Sequence, residues 1–310
     1  MLLKQRVIDL APDFMVKLFA APYIAGDSAE AAVRQASSLW SGRRLKSTID
    51  LLGEELTRRD DVQQTVTEYL RLVDLLGRHE LATLSLKPTQ LGSHESVDVC
   101  ADHIGRIAAY AAAQGIGVTI DMEDHTCTDI TLEVYRRLLP RFPGLGTVLQ
   151  TRLHRTAADI EALKGRQARI RLCIGIYLEP ADIALQKKPE MKERVLTQGE
   201  RLLDDGHYVE FATHDEALIG KILDMIARRG FGGSQFEFQM LLGVPRDAVQ
   251  QRLIAEGHTV RLYVPYAVKW SHALGYAKRR LAANPNMGLY VARNLIRGIS
   301  KSAARPYRAV

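Results

Sequence analysis

The feature that most constrains the fold of this chain is a strand-like segment that recurs along most of its length, with amphipathic segments between successive repeats. Stretches 101–114 and 216–229, for example, carry apolar residues at i, i+3 and i+4, the pattern of a helix with one buried face. Strand alternating with helix predicts a parallel sheet, and eight such repeats predict closure into a (β/α)8 barrel. The strand-like segments are 45–54, 81–87, 116–123, 147–152, 169–177, 207–214, 235–241 and 259–264.

The length of the chain agrees with this fold and leaves residues over. A barrel of this kind needs about 250 residues, and the chain has 310. We expect an N-terminal helical arm over residues 1–44, an α/β domain of the TIM-barrel type over 45–295 and a basic C-terminal tail over 296–310. No linker rich in proline, glycine or serine divides the chain, so we expect no second domain of comparable size.

The strands carry a second pattern, because successive side chains of a strand point to opposite faces of the sheet. In segment 169–177, isoleucine and leucine on one face alternate with arginine, cysteine, glycine and tyrosine on the other. Helices outside the barrel would cover the apolar face, so the polar face is predicted to point into the lumen. The polar residues placed in the lumen in this way are Lys87, Asp121, Glu123, Gln150, Arg171, Glu237 and Gln239.

Charged groups in a barrel lumen are costly unless they pair with one another or meet a polar ligand. The lumen therefore either holds a self-sufficient network of ion pairs or receives a large polar cofactor at its mouth. We favour the cofactor.

The formal net charge of +6 and the pI near 9.2 raise the question of a nucleic-acid partner. The basic residues are mixed with 36 acidic ones, and the densest basic cluster, Arg293–Arg308, contains a single aromatic residue, Tyr307. We therefore expect no nucleic-acid binding. Three cysteines without paired spacing predict free thiols in a reducing compartment, the cytoplasm.

Common catalytic signatures are absent from the sequence. It contains no GxGxxG or Walker phosphate loop, no HExxH, no cluster of cysteine and histidine, and no GxSxG. A metal site or a serine nucleophile is therefore not expected. Residues 1–21 are amphipathic rather than continuously apolar, and no apolar run is long enough to predict a membrane span.

The sharpest local feature follows the last predicted strand, where Tyr276, Arg279 and Arg280 stand at i, i+3 and i+4 on one face of a helical stretch. Paired guanidinium groups match a carboxylate or a phosphate bidentately. The C-terminal mouth of a barrel is where enzymes of this fold bind their substrates, so the pair indicates an anionic substrate there. Taken by itself, the pair also fits an ordinary solvated helix face.

Together with motifs on the preceding strands, this stretch resembles the proline dehydrogenase family, in particular its monofunctional bacterial type. The stretches that carry the resemblance are Leu84-Ser85-Leu86-Lys87, Ile120-Asp121-x-Glu123, Val148-Leu149-Gln150, Arg171 to Tyr177, Phe211-Ala212-Thr213-His214, Phe236 to Gly243, Arg261 to Tyr266 and Tyr276-x-x-Arg279-Arg280. Each motif is weak alone, but all of them in the same order at the ends of predicted strands are specific.

The resemblance implies a flavoenzyme that oxidises L-proline to Δ1-pyrroline-5-carboxylate by hydride transfer to FAD and passes electrons to a quinone. It implies Lys87, Asp121 and Arg171 as catalytic residues, with Asp121 orienting Lys87 and Arg171 close to flavin N5. The implied substrate-binding residues are Lys87, Asp121, Tyr177, Leu241, Tyr263, Tyr276, Arg279 and Arg280, with the two arginines on the carboxylate. The implied FAD-binding residues are Gln150, Arg171, Cys173, Gly175, Thr213, His214 and Arg280.

The resemblance also implies partners. A peripheral contact with the inner membrane would bring the enzyme to its quinone, and the N-terminal arm and the basic tail are the candidate segments. Pyrroline-5-carboxylate dehydrogenase is the implied pathway partner, since 310 residues leave no room for a second catalytic domain.

Two observations keep other functions open. The family commonly places an acid immediately before an asparagine in the arginine helix, whereas this chain has Ala283 before Asn284, which puts one cofactor contact in doubt. A different flavin-dependent barrel enzyme, such as a folate reductase reduced by NAD(P)H, is the first alternative. A basic binding protein that uses the barrel only as a scaffold is the second.

Overall fold

A computed structural model of the chain describes residues 16–17, 20–77 and 81–283. Within these residues, parallel strands form a closed barrel in which each strand pairs with the next along the chain and β8 pairs with β1. The strands are β1 (Lys46–Leu51), β2 (Ala82–Leu86), β3 (Val118–Ile120), β4 (Gly146–Gln150), β5 (Arg169–Cys173), β6 (Tyr208–Ala212), β7 (Phe236–Leu241) and β8 (Val260–Tyr266). The predicted (β/α)8 barrel is confirmed.

A helix follows each strand, and a further helix, α1, precedes β1. The helices are α1 (Ala29–Arg43), α2 (Arg59–Leu76), α3 (Val97–Ala113), α4 (Thr128–Leu138), α5 (Thr156–Glu161), α6 (Lys188–Asp204), α7 (Glu216–Arg229), α8 (Asp247–Ala255) and α9 (Trp270–Ala283). Side-chain caps fix where some of them begin: Ser96 Oγ accepts from the N–H of Val99 at 3.1 Å, and Asp215 Oδ1 accepts from the N–H of Leu218 at 2.9 Å. These starts set the lengths of the loops at the mouth of the barrel.

Several strands end earlier at the mouth than their sequence pattern predicts. The pattern predicts a strand over 116–123, whereas β3 ends at Ile120, and a strand over 169–177, whereas β5 ends at Cys173. Alternation of polar and apolar residues continues into the loops, so it does not mark where the strand ladder stops. The residues beyond the ladder, among them Asp121 and Gly175, therefore belong to the mouth.

The two faces of the strands separate as predicted. Apolar side chains of strands and helices form one buried cluster outside the sheet, in which the rings of Phe211, Phe236 and Phe238 lie with their centroids 5.9 to 6.4 Å apart. The polar side chains meet inside the barrel, since Arg171 of β5 bonds Asp121, which follows β3, at 2.6 Å. The lumen is therefore lined with charge rather than with aliphatic residues.

The segments that flank the barrel are only partly described. Helix α1 packs against β1, β8 and α2, so the predicted N-terminal arm over 1–44 is helical where it meets the barrel. Residues 1–15, 18–19 and 284–310 lie outside the described residues, and with them the start of the arm, the end of the predicted barrel domain and the basic tail. Among the helices that the structure describes, none is both long and apolar enough to cross a membrane.

Candidate active site

The lower lumen, at the N-terminal ends of the strands, is an ion-pair network of Arg169, Glu210, Glu237 and Arg261. Arg261 donates from Nε and Nη2 to the two carboxylate oxygens of Glu237 at 2.6 and 3.1 Å, and Arg169 pairs with both Glu210 and Glu237. Burial by itself raises the pKa of Glu237, but Arg261 and Arg169 outweigh it and hold the pKa at about 2. Each charge of this network therefore has an opposite charge within ion-pair distance, although Glu210 Oε2 accepts no hydrogen bond among the described residues.

One layer higher, Arg171 connects three strands. Its Nη1 donates to Asp121 at 2.6 Å and to Ser85 at 3.2 Å, and its Nε donates to Gln239 at 2.7 Å. Burial lowers the pKa of Arg171, but the carboxylates of Asp121 and Glu210 outweigh burial and raise the pKa above its ordinary value. The guanidinium stays charged, and its Nη2 is buried without a hydrogen-bond partner among the described residues.

Lys87 lies beside this layer, buried at the end of β2, and its Nζ donates to Asp50 of β1. Tyr263 bridges the two sides: its hydroxyl lies 3.4 Å from Lys87 Nζ and donates to Asp121 Oδ2 at 2.7 Å. The prediction that Asp121 orients Lys87 is therefore corrected, because Asp50 does so and Asp121 bonds Arg171 and Tyr263 instead. Burial lowers the pKa of Lys87, but the carboxylates of Asp50 and Asp121 raise it by more than burial lowers it. The pKa therefore lies above its ordinary value, and the ammonium stays charged.

Helix α9 brings Tyr276, Arg279 and Arg280 to the mouth, as its i, i+3, i+4 spacing predicts. The Arg280 guanidinium lies 5.4 Å from the centroid of the Tyr276 ring, and the Arg279 guanidinium lies 5.6 Å from that of Tyr177. Arg279 also forms an ion pair with Glu54 of the β1–α2 loop. The Arg280 Nε and the Tyr276 hydroxyl are buried without a partner in the described part of the chain.

The other side of the mouth is formed by the ends of β4 and β5. Gln150 donates from Nε2 to the carbonyl of Glu123 at 2.8 Å, which leaves its Oε1 unpaired. Gly175 has a φ of +97°, and a Cβ at this position would lie 2.3 Å from Gln150 Oε1, so only glycine fits there. Burial raises the pKa of the neighbouring Cys173 thiol to about 11, which makes it a protonated wall residue rather than a nucleophile.

The residues after β6 and β7 complete the rim. The N–H of Leu241 donates to His214 Nε2 at 2.8 Å, so the proton of the neutral ring sits on Nδ1. Burial, with the cations of Arg280 and Arg246, lowers the pKa of His214 to about 4. Thr213 is 9% exposed and directly precedes it. The residues that the sequence places in the site thus lie at or beyond the C-terminal ends of the strands or on α9, except Arg171 and Tyr263, which lie in the middle of β5 and β8.

Several polar atoms of this mouth are buried and, within the residues that the structure describes, form no hydrogen bond. They are Asp50 Oδ2, Gln150 Oε1, Arg152 Nε, Arg171 Nη2, Tyr276 Oη and Arg280 Nε. Buried polar groups in proteins are almost always bonded. A cluster of unpaired donors and acceptors at the mouth of a barrel therefore indicates a site for a polar ligand.

Three residues of the mouth were not predicted from the sequence. Asp50 shares the parity of Thr48 on β1, so splitting segment 45–54 by parity would have placed it in the lumen. Glu54 meets Arg279 across 225 positions of sequence, and no local pattern reveals such a contact. Arg152 follows β4 at a position where a charged side chain is usually exposed, yet it is 8% exposed here.

Comparison with known proteins agrees with this geometry. Residues 32–288 match the proline dehydrogenase family. The chain belongs to the proline dehydrogenase family. It is 33% identical to proline dehydrogenase 1 of Bacillus subtilis over 288 residues, which cover 93% of this chain and 94% of that protein. It is also 33% identical to the proline dehydrogenase of Deinococcus radiodurans, over 90% of each chain.

Solved structures related to this family share the fold. The chain superposes on proline utilization A from Bdellovibrio bacteriovorus, a structure inactivated by N-propargylglycine, with a TM-score of 0.77 and 22% identity. The match covers 87% of this chain but 33% of the larger protein. Proline utilization A from Bradyrhizobium japonicum gives a TM-score of 0.70 at 19% identity. At this identity, these matches support the barrel fold alone.

Proposed function

We propose that this protein is an FAD-dependent proline dehydrogenase that oxidises L-proline to Δ1-pyrroline-5-carboxylate. Membership of the family supports proline dehydrogenase activity. The observation that carries the proposal beyond membership is the set of buried, unpaired polar atoms at the mouth, which lies between a basic helix and the ends of β4 and β5. A cofactor and a zwitterionic substrate would satisfy these atoms together.

The residues at the ends of β4 and β5 fit a flavin. The pyrimidine half of a flavin offers both N–H donors and carbonyl or ring-nitrogen acceptors. Gln150 Oε1 is an unpaired acceptor and Arg171 Nη2 an unpaired donor, so the two can serve both kinds of group. Gly175 brings backbone close to Gln150 without a side chain, which leaves room for a flat ring. We assign Cys173, Thr213 and His214 to the wall of the same cofactor site.

The α9 side of the mouth fits the substrate. Arg280 has an unpaired Nε, and Arg279 already holds the carboxylate of Glu54. A carboxylate is thus the group that this pair attracts, and L-proline would take the place of Glu54 or share Arg279 with it. Tyr276 and Tyr177 flank the two guanidinium groups and would close over the pyrrolidine ring, with Leu241 and Tyr263 as further walls.

The charges of the chain suit the reaction. When bound, FAD supplies the acceptor for the hydride that leaves the carbon beside the proline nitrogen. Arg171 is a buried, permanently charged guanidinium that would stabilise the negative charge developing on the acceptor. Lys87, held by Asp50 and Tyr263, adds a second fixed cation. Fixing the carboxylate between Arg279 and Arg280 orients the small substrate, which removes much of the entropic barrier.

The later steps and the location follow from the same proposal. The two electrons would pass to a quinone, and a peripheral contact at the inner membrane would bring the enzyme to that acceptor. Pyrroline-5-carboxylate dehydrogenase would then consume the product. We expect the protein in the cytoplasm, at the membrane surface. The loss of the cofactor contact that an acid at position 283 would make stays a prediction, because Asn284 lies outside the described residues.

A coupled assay tests the proposed function. The purified protein, reconstituted with FAD, is mixed with L-proline and a soluble quinone, and both Δ1-pyrroline-5-carboxylate and quinol are measured. The proposal predicts that the two form in equal amounts and that neither forms when FAD is omitted. The same protein is also mixed with NADPH in place of L-proline. Flavin reduction by NADPH but not by proline would replace the proposal with the folate-reductase type of barrel, and a protein that retains no FAD would be a binding scaffold.

A further inference from the structure

The loop between β5 and α6, residues 174–187, carries both Gly175 and Tyr177 and therefore forms part of the mouth. One buried side chain from outside the loop, Arg152, bonds it at two points. Arg152 Nη1 donates to the carbonyl of Tyr177, and Nη2 lies 3.4 Å from the carbonyl of Leu185. The backbone of Arg152 adds two bonds, from its N–H to Ile174 at 3.3 Å and from the N–H of Leu185 to its carbonyl at 2.8 Å. One residue thus holds both ends of the loop.

The charge of Arg152 is not explained by an ion pair. Its side chain forms none with the carboxylates that the structure describes, and its Nε has no hydrogen-bond partner among them. Glu179 is the nearby acid, but it bonds His125 instead, through the ring Nδ1 at 2.6 Å and the backbone N–H at 3.1 Å. Burial lowers the pKa of Arg152. A buried cation without a direct ion-pair partner is costly, so its contacts with the loop carbonyls must offset that cost.

Arg152 also lies directly against the residues that face the ligand. A Cβ at Gly175 would come within 3.0 Å of Arg152 Cδ as well as within 2.3 Å of Gln150 Oε1. On the other side of the loop, the ring of Tyr177, whose carbonyl Arg152 holds, faces the guanidinium of Arg279. A shift of the arginine would therefore move both the expected flavin side and the expected proline side of the mouth.

We propose that Arg152 is a positioning residue that clasps the β5–α6 loop and so sets the place of Gly175 and Tyr177 over the active site. The proposal rests on the proposed function for its kinetic consequences, but not for its structural one. Arg152 touches neither reacting group. It acts through the loop, so its loss should weaken binding of proline and FAD more than it slows the turnover of bound substrate.

The test compares Arg152→Met, which keeps the length of the side chain but donates nothing, with Arg152→Lys, which keeps the charge and reaches one carbonyl. Arg155→Met is the matched control, since Arg155 lies on the same connection but pairs at the surface with Asp159 and Asp129. For each FAD-reconstituted protein, the KM and kcat for L-proline, the Kd for FAD and the rate of tryptic cleavage at Lys187 are measured.

The loss of hydrogen bonds from a charged donor predicts that Arg152→Met raises the KM for proline about tenfold or more. We expect the Kd for FAD to rise severalfold, cleavage at Lys187 to accelerate and kcat to stay within a factor of about three. For Arg152→Lys, the KM for proline, the Kd for FAD and the cleavage rate at Lys187 should lie between those of Arg152→Met and those of the wild type. The values for Arg155→Met should match the wild type.

The outcomes separate this proposal from the proposed function. One outcome is that the wild type oxidises proline and Arg152→Met has the same KM, FAD affinity and cleavage rate as Arg155→Met. In that case the positioning role of Arg152 is wrong, while the proposed function is supported. If the wild type does not oxidise proline, the function is wrong, and faster cleavage in Arg152→Met still supports the clasp. Should Arg152→Met not fold, Arg152→Lys decides, because wild-type values for it in all three measurements would overturn the proposal.

Discussion

The lower lumen and the mouth of this barrel both bury several charged side chains, but these side chains differ in how far they are paired. In the lower lumen, Glu237 is held by Arg261 and Arg169, and its pKa lies at about 2. At the mouth, polar atoms of Arg171, Gln150 and Arg280 are buried without partners among the described residues. The sequence offers two interpretations of a polar lumen, an ion-pair network or a ligand site. The first describes the lower lumen, and we propose the second for the mouth.

One sheet thus carries two kinds of buried charged group. Those in the lower lumen pair with one another, and for those at the mouth we propose a ligand as the partner. Paired charges occupy the lower lumen, where most barrels have aliphatic residues. Among the described residues, several buried groups without a hydrogen-bond partner gather where the loops and α9 meet, at the end where barrel enzymes bind ligands. Substitutions of paired groups should therefore change stability, whereas substitutions of the unpaired groups at the mouth should change binding.

The largest expected effect comes from breaking the lower network. Glu237→Gln leaves the buried guanidinium of Arg261 and the half-buried one of Arg169 without their shared carboxylate, which should reduce the free energy of unfolding by about 4 kcal/mol. Urea denaturation measures this loss of unfolding free energy. Glu133→Gln is the control, because Glu133 pairs with two arginines on the surface of α4. The control should lose less than about 1 kcal/mol. A Glu237→Gln protein that is as stable as the control would mean that this network is not structural.

The counterpart at the mouth is Arg280→Met. Removing this cation from a desolvated carboxylate contact should raise the KM for L-proline roughly 100-fold, which corresponds to about 3 kcal/mol. The free energy of unfolding should change little, since Arg280 Nε has no partner within the described structure. Steady-state kinetics measures the KM for L-proline, and urea denaturation measures the free energy of unfolding. The exposed Lys221 on α7 serves as the control through Lys221→Met, and equal KM values for the two variants would contradict the carboxylate assignment.

The rim adds a pH dependence through His214. Burial holds its pKa at about 4, below the ordinary value of 6.5. Between these values the unfolded chain binds a proton that the folded protein does not, so stability is present above pH 6.5 and is lost as the pH falls. Between pH 6.5 and pH 5, protonation of His214 in the unfolded chain should lower the free energy of unfolding by about 2 kcal/mol, at about 1.4 kcal/mol per pH unit. His214→Gln keeps an acceptor for the N–H of Leu241, so it should lose correspondingly less stability over this range.

Unfolding free energies of the wild type and His214→Gln, measured at pH 7, 6.5, 6 and 5, check this dependence. The two curves should run parallel above pH 6.5 and separate below it. Parallel curves down to pH 5 would show that the imidazole is accessible to protons in the folded protein.

The smallest expected effect concerns the link between Lys87 and Asp121. Tyr263→Phe removes the hydroxyl that donates to Asp121 at 2.7 Å, which should cost about 1 kcal/mol of unfolding free energy. Tyr110→Phe is a matched control, because the Tyr110 hydroxyl also donates to a carboxylate, Asp74, but in an exposed position. The control should change stability by less than about 0.5 kcal/mol. Equal losses in the two variants would mean that the buried position of Tyr263 adds nothing.

The sequence predicted much of this arrangement because the relevant signals are local or periodic. Alternation along segment 169–177 placed Arg171 in the lumen, and helical spacing placed Tyr276 beside Arg280. Both predictions are confirmed by the geometry. The closed barrel was predicted from the number and order of repeats, which the hydrogen-bonded strand order confirms.

What the sequence did not predict depends on contacts between distant residues. The pairing of Lys87 with Asp50 rather than Asp121 is decided by which carboxylate the barrel brings within reach. Glu54 meets Arg279 only because the β1–α2 loop and α9 meet at the mouth. Arg152 ends the predicted segment 147–152 on the same face as Gln150, but this parity does not predict its partners, which are backbone carbonyls of a distant loop. Side-chain patterns predict faces of elements, but not which groups pair across the lumen.

The central claim is that the unpaired groups of the mouth bind a flavin and deliver proline to it. Its most direct test is an anaerobic titration of the FAD-reconstituted protein with L-proline, followed by absorbance in the flavin band near 450 nm, a wavelength set by flavin chemistry. The account predicts that excess L-proline bleaches the band completely and that readmitted quinone restores it. A flavin band that L-proline leaves unchanged would contradict the account.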